Sequence, residues 1–218
     1  MADNTELRPR GTRKQLLIVT WLTCIRAPLI LLFMVGAICD ILWPICEENL
    51  NGHLVLQWCC VALMGLSAFT DLFDGLYARK WNVTSKFGAM CDPLMDKVFF
   101  VVVFPTLTAI FFLKGEQHLG VLSLIFTVLH ILRDLWVVTL RALAVGKADM
   151  KANFVGKLRT AISFPIGVAI YCHLVWEWFP QALVFGLLLF GFLLNLYSTV
   201  VYTKRYGFAI QEAMDSEK

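Results

Sequence analysis

The sequence predicts an all-α integral membrane protein with six helices across the bilayer. Three observations predict it. Of 218 residues, 59% are hydrophobic and only 16% are charged, against about 25% charged in soluble chains. Several apolar runs reach the roughly 20 residues that a helix needs to cross hydrocarbon. No alternating barrel pattern is visible, and backbone groups in lipid must be satisfied within their own segment, so the runs are helices.

The six expected spans cover residues 16–39, 53–78, 87–113, 118–144, 160–178 and 180–203. They lie in one domain, 15–205, between a basic N-terminal tail, 1–14, and a C-terminal tail, 206–218. Each connection is oriented by its cations. The tail to residue 14 carries Arg8, Arg10, Arg13 and Lys14. The stretch 79–87 carries three Lys or Arg, 141–159 carries five, and the chain from Lys204 carries three. The alternate connections hold Asp40, Glu47, Glu48, Glu116 and Glu177, with Lys114 their one cation. The positive-inside rule therefore puts both termini in the cytoplasm. Trp43, Trp176 and Trp178 suit an outer aromatic belt, and Trp81 an inner one. The first fourteen residues form either a basic helix lying on anionic headgroups or a positive tail that only sets topology; Pro9 and Gly11 weaken a helix there.

A net charge of +3 is too small to argue for nucleic acid. The seven cysteines have no metal-ligand spacing. Most sit in apolar runs as small hydrophobes, and Cys39 and Cys46 flank a loop where a disulfide is one alternative. His130 and His173, alone in apolar segments, read as core groups rather than ligands, and Pro28, Pro105 and Pro165 as candidate kinks.

Four aspartates interrupt the apolar pattern between the second and third spans. Asp71 and Asp74 are three apart, Asp92 and Asp96 four apart, so each pair shares a helix face. A turn near residues 80–86 makes the helices antiparallel neighbours, and the four carboxylates can converge. Each uncompensated charge in a membrane helix costs about 2.5–3.5 kcal/mol on insertion scales. Arg79 and Lys97 are thin counter-charge for four anions. Oxygen ligands without His or Cys suit hard cations, Mg2+ or Mn2+, and two such ions are a usual clamp for phosphoryl chemistry. Gly75, Ala78 and Gly88 leave room for a bulky nucleotide against the backbone. The plainer alternative is a set of surface ion pairs and helix caps. A different class of protein, a divalent-cation transporter, also places carboxylates in membrane helices.

These residues resemble the CDP-alcohol phosphatidyltransferase family, whose motif is Asp-x-x-Asp-Gly-x-x-Ala-Arg, eight residues, Gly, three residues, Asp, three residues, Asp. Asp71, Asp74, Gly75, Ala78, Arg79, Gly88, Asp92 and Asp96 meet every spacing. The resemblance covers roughly residues 17–205. It implies six transmembrane helices, commonly as a homodimer, with the site open to the cytoplasmic leaflet. It also implies Asp71, Asp74, Asp92 and Asp96 as ligands of two divalent ions, with Asp96 as general base. Asp71, Gly75, Ala78, Arg79 and Gly88 would line the cytidine diphosphate site.

The acceptor alcohol is read outside the motif. Arg133 and Arg141 are eight apart on the fourth helix, about 80° from alignment. Lys157 and Arg159 follow in a loop, "VGKLRTAIS", at the start of the fifth. Four such cations suit a phosphorylated acceptor. The alternatives are a buried ion pair with Asp134 for Arg133 and topology charges for Lys157 and Arg159. Leu132-Arg133-Asp134, Arg141 and Gly156-Lys157-Leu158-Arg159-Thr160 most resemble the bacterial phosphatidylglycerophosphate synthase branch. That resemblance implies CDP-diacylglycerol as donor, glycerol 3-phosphate as acceptor and the bacterial inner membrane as location. A sister enzyme using inositol phosphate is the alternative within the family. The first helix departs from its relatives: Leu17, Ile18 and Val19 stand where Asn-x-Pro is common, while Thr20, Thr23 and Arg26 remain. Arg26 either faces the site or snorkels to the interface.

Overall fold

A computed structural model describes residues 12–42, 50–81, 83, 86–144, 154–176 and 178–215. Its elements are α1 (Arg13–Leu42), α2 (Leu50–Trp81), α3 (Lys86–Leu113), α4 (Gln117–Leu143), α5 (Phe154–Val175), α6 (Gln181–Tyr206) and a short α7 (Phe208–Asp215). No strand occurs among the described residues. Five helices, α1, α2, α4, α5 and α6, are long and apolar enough to cross a membrane. In α3 the apolar stretch among the described residues is Lys97–Leu113. The fifth helix begins six residues before its expected start, so Lys157 and Arg159 belong to α5 and not to a loop. Lys and Arg end an apolar count, but both are good helix formers. Pro28, Pro105 and Pro165 lie inside α1, α3 and α5. Cys39 forms no disulfide, and Cys46 lies outside the described residues, as do residues 1–11 and Trp43.

The chain falls into two compact units, Met1–Val103 and Phe104–Lys218. In the first, α1 and α2 form an antiparallel hairpin. Thr23 meets Asp74, Arg26 meets Asp71, and Asp40 meets His53 and Gln57. The seam on α1 is Thr23, Arg26, Ile30, Phe33, Ala37 and Asp40; on α2 it is His53, Gln57, Cys60, Met64, Ser67, Asp71 and Asp74. Both follow alternating steps of three and four, the spacing that keeps one stripe of each helix facing the other. The middle of the seam is apolar and closely packed: Phe33 and Cys60 are fully buried, and a Cβ added to Gly36 would lie 2.9 Å from Cys60 Sγ. Small residues of this kind let membrane helices approach. The ends are polar. His53 Nδ1 lies 2.8 Å from Asp40 Oδ1, and Gln57 Nε2 donates to Asp40 Oδ2 at 3.2 Å. The opposite faces are bare, with Trp21 70% and Val55 63% exposed, as surfaces that meet lipid.

In the second unit, α4 runs parallel to α6 and antiparallel to α5. Phe104, Phe126, Ile166 and Leu188 are buried there. A Cβ on Gly191 would lie 2.7 Å from both Ile166 Cδ1 and Phe126 Cε2, so glycine sets the approach of α6. Lys114 donates to the Leu174 carbonyl at one end, and Gly115 turns the chain into α4 with φ +79°, a backbone region open to glycine. Glu116 and the Phe179 carbonyl flank His173 at 3.1 and 3.0 Å. At the other end α7, unmarked in the sequence reading, packs Ala209 onto Val137, Leu140, Ala144, Tyr202 and Tyr206.

Replacing Gly36 by Val should overpack the hairpin and cost about 1–3 kcal/mol. A lowered unfolding temperature in detergent, partly restored by adding Cys60→Ala, is the expected result.

Candidate active site

Asp71 and Asp74 project from the last three turns of α2 onto one arginine of α1. Arg26 Nη2 donates to Asp74 Oδ2 at 2.6 Å, and its Nη1 donates to Asp71 Oδ1. The Thr23 hydroxyl adds a bond to Asp74 Oδ2 at 2.9 Å, and also reaches the Val19 carbonyl at 3.2 Å. Arg26 is 3% exposed and the Asp74 side chain 9%, while that of Asp71 is 35% exposed. A planar guanidinium matches this task, since its fork satisfies two carboxylates at once. The sequence reading left Arg26 between two fates; it faces the aspartates. The counter-charge seen among the described residues is Arg26, from a helix 45 residues away in sequence. The signal was present, a cation inside an apolar run, but its partner could not be known before the hairpin register was.

The donor set fits a hard cation. Asp71 and Asp74 offer carboxylate oxygens one turn apart, already drawn to a single positive centre. Among the described residues no three His, Cys, Asp or Glu side chains gather into a metal cluster. Asp92 and Asp96 sit one turn apart on α3, but their side chains, with those of Arg79 and Lys157, lie outside the described set. The convergence of four carboxylates falls on those side chains too. A Cβ added to Gly75 would meet nothing within 4 Å, so space is open beside the Asp74 backbone.

The second unit holds the remaining predicted cations. Arg133 Nη1 and Arg159 Nη2 both donate to Asp134 Oδ1, at 2.9 and 2.7 Å. The ion pair considered for Arg133 thus exists, and Arg159 shares it. Arg133 Nη2 also donates to Ser198 Oγ at 2.5 Å. Arg159 Nη1 lies 2.7 Å from His130 Nε2 and 3.3 Å from Asn195 Oδ1. Arginine has no acceptor, so His130 Nε2 accepts and carries no proton there. Arg141 Nη2 donates to the Tyr202 hydroxyl at 3.2 Å. His130 is a buried core group, and its Nε2 makes it part of this cluster. Asn195, Ser198 and Tyr202 were missed in the sequence, where residues three and four apart inside an apolar α6 give no sign of facing arginines.

This cluster is rich in donors. Arg133 Nε, Arg141 Nε, Arg159 Nε and Asn195 Nδ2 are buried with no acceptor among the described residues. A buried donor without an acceptor costs about 1–3 kcal/mol. The arrangement is suited to a ligand that brings several oxygens.

Comparison with known proteins gives the family. A family model for CDP-alcohol phosphatidyltransferase matches residues 16–198. Three relatives carry the name CDP-diacylglycerol–glycerol-3-phosphate 3-phosphatidyltransferase. The protein from Sodalis glossinidius is 39% identical over 87 residues, 38% of this chain and 40% of its own length. That from Blochmanniella floridana is 29% identical over 123 residues, 55% of this chain and 60% of its own. That from Yersinia pestis (strain Pestoides F) is 30% identical over 149 residues, 67% of this chain and 71% of its own. The matched segment spans less than two thirds of the first two relatives. The fold is that of an all-α integral membrane protein. The chain belongs to the CDP-alcohol phosphatidyltransferase family, which is generally divalent-cation dependent.

Arg26→Ala should strand two carboxylates in the hairpin. Breaking a buried ion pair costs about 3–5 kcal/mol, and partial exposure of Asp71 holds the loss near the lower figure. Arg26→Lys keeps the charge but not the fork and should fall between. Thermal unfolding of the three proteins in one detergent measures the order.

Proposed function

We propose that the protein transfers the phosphatidyl group of CDP-diacylglycerol to glycerol 3-phosphate, giving phosphatidylglycerophosphate and CMP. The names of the bacterial relatives support this reading. So does the full set of motif positions from Asp71 to Asp96. The observation that carries the acceptor assignment is the group of buried N–H donors on Arg133, Arg141, Arg159 and Asn195. An uncharged alcohol would leave those donors unmatched, whereas a phosphate supplies oxygens in the fork geometry that arginine favours.

Asp71, Asp74, Asp92 and Asp96 would hold two divalent ions, Mg2+ or Mn2+. Bound there, the ions neutralise charge on the donor pyrophosphate. Arg26 and Thr23 fix the Asp71 and Asp74 carboxylates before any substrate arrives. Arg79, with Gly75, Ala78 and Gly88, lines the cytidine diphosphate. Arg133, Arg141, Lys157 and Arg159 receive the acceptor phosphate. Asp96 takes the proton of the glycerol hydroxyl. The oxygen forms a bond to the lipid-side phosphorus, and the bond from that phosphorus to CMP breaks. Catalysis of this kind is chiefly positioning and charge stabilisation.

The charge bias of the connections supports cytoplasmic termini and a cytoplasmic active site. The bacterial origin of the relatives supports the inner membrane. A homodimer is the assembly expected for the family.

An acceptor screen with purified protein, read by CMP release, tests the whole reading. Glycerol 3-phosphate should be used and inositol phosphate should not; ion flux in liposomes without CMP release would point to a transporter instead. Asp96→Asn should keep the fold and donor binding while turnover is lost, and an active variant would remove Asp96 as base. Mg2+ or Mn2+ should raise the unfolding temperature of the native chain but not that of Asp71→Asn/Asp74→Asn. Arg141→Ala should raise the KM for glycerol 3-phosphate far more than that for CDP-diacylglycerol; equal effects on both would place Arg141 elsewhere.

A further inference from the structure

We infer that Tyr202 is a positioning residue for the acceptor, a buried ring that sets the spacing of the Arg133 and Arg141 guanidinium groups. The inference rests on the phosphate-binding role proposed for those arginines. Tyr202 is 2% exposed on α6. Its ring centroid lies 4.8 Å from Arg133 Cζ and 5.2 Å from Arg141 Cζ. Both distances are within the range at which a cation is drawn to a ring face. Its hydroxyl also accepts from Arg141 Nη2 at 3.2 Å.

The sequence shows why such a device is needed. Arg133 and Arg141 are separated by eight residues, about 12 Å of helix rise, and point to neighbouring faces of α4. Two like charges on flexible stems repel and would splay. A shared aromatic partner brings both to one side of the helix without neutralising either. Asp134 does the opposite for Arg133 and Arg159, because it joins them by taking up charge.

The ring is itself held in place. Tyr206 stacks on it at 6.1 Å, and Val137 and Leu140 share its core. Its hydroxyl fits because residue 156 is glycine. A Cβ there would stand 2.6 Å from the Tyr202 hydroxyl oxygen and 3.4 Å from ring carbons Cε2 and Cζ. Gly156 therefore belongs to the same device, and it directly precedes the predicted ligand Lys157. A ring that merely filled the core would make its variants less stable without separating the two substrates.

The test uses the purified full chain in mixed micelles containing CDP-diacylglycerol. KM and kcat are measured for each substrate in Tyr202→Phe, Tyr202→Leu, Gly156→Ala and Gly156→Ala/Tyr202→Phe, with Arg141→Ala as reference. Tyr202→Leu loses the ring and should raise the KM for glycerol 3-phosphate about five- to thirtyfold. Tyr202→Phe keeps the ring and should cost about threefold. The KM for the donor should not move in either. Gly156→Ala should weaken the acceptor alone, and the double variant should recover toward Tyr202→Phe because the clashing oxygen is gone. If Tyr202→Leu stays within about twofold of the native KM while Arg141→Ala does not, the phosphate site stands and the role of Tyr202 falls. If Arg141→Ala shows no preference for the acceptor, the phosphate reading falls first and this inference with it. Should Tyr202→Leu fail to fold, the Gly156 pair decides, and no recovery in the double variant overturns the proposal.

Discussion

One guanidinium held between two carboxylates is the interaction on which the first unit depends. Arg26 sits at the seam of α1 and α2, almost wholly buried, and Asp71 and Asp74 close on it from the facing helix. In a hydrocarbon setting neither sign could stand alone, since an isolated charge in a membrane helix is costly whichever group carries it. The pairing makes the carboxylates tolerable, and among the described residues it sets two carboxylates against one guanidinium. The second unit inverts the stoichiometry. There a single carboxylate, Asp134, lies between Arg133 and Arg159. The excess is positive, and Arg141 adds to it. On the proposed function one cluster would receive cations and the other an anion, and each holds groups of the opposite sign.

Partial neutralisation has a functional logic. A complete ion pair would be inert, and an unpaired cluster would be hard to bury. Two against one fixes the geometry of each cluster. The buried N–H groups of the arginine cluster express the same point in hydrogen bonds, as donors held in place by one set of bonds and left open by another. Such preorganisation is what a phosphoryl transfer asks of its protein, because little covalent chemistry is left for side chains to perform.

Much of this was legible in the residues. Apolar run length gave the helices, and the fixed spacing from Asp71 to Asp96 gave the family and the metal-binding hypothesis. Arg133, Arg141, Lys157 and Arg159 were singled out because four cations outside the motif suit a phosphorylated acceptor. What escaped was everything that depends on register between helices. Arg26 could be seen but not paired, because no local rule says that residue 26 faces residues 71 and 74. Asn195, Ser198 and Tyr202 were invisible for the same cause: polar side chains of modest size are common in membrane helices, and only packing shows which face arginines. The early start of α5 was missed because a hydropathy count stops at Lys157 and Arg159, although the backbone does not. α7 was missed because eight residues beyond a charged pair look like tail until Ala209 is seen in contact with Leu140 and Ala144.

The α1–α2 seam is fastened by an ion pair at Arg26 and by hydrogen bonds at Asp40, with mostly apolar side chains between them. A slip of one helix past the other by a single heptad would break both fastenings together. The hairpin must therefore respond to a thicker or thinner bilayer by leaning as a stiff strut rather than by shearing. Lipid composition can then change its tilt while the separation of Arg26, Asp71 and Asp74 stays constant.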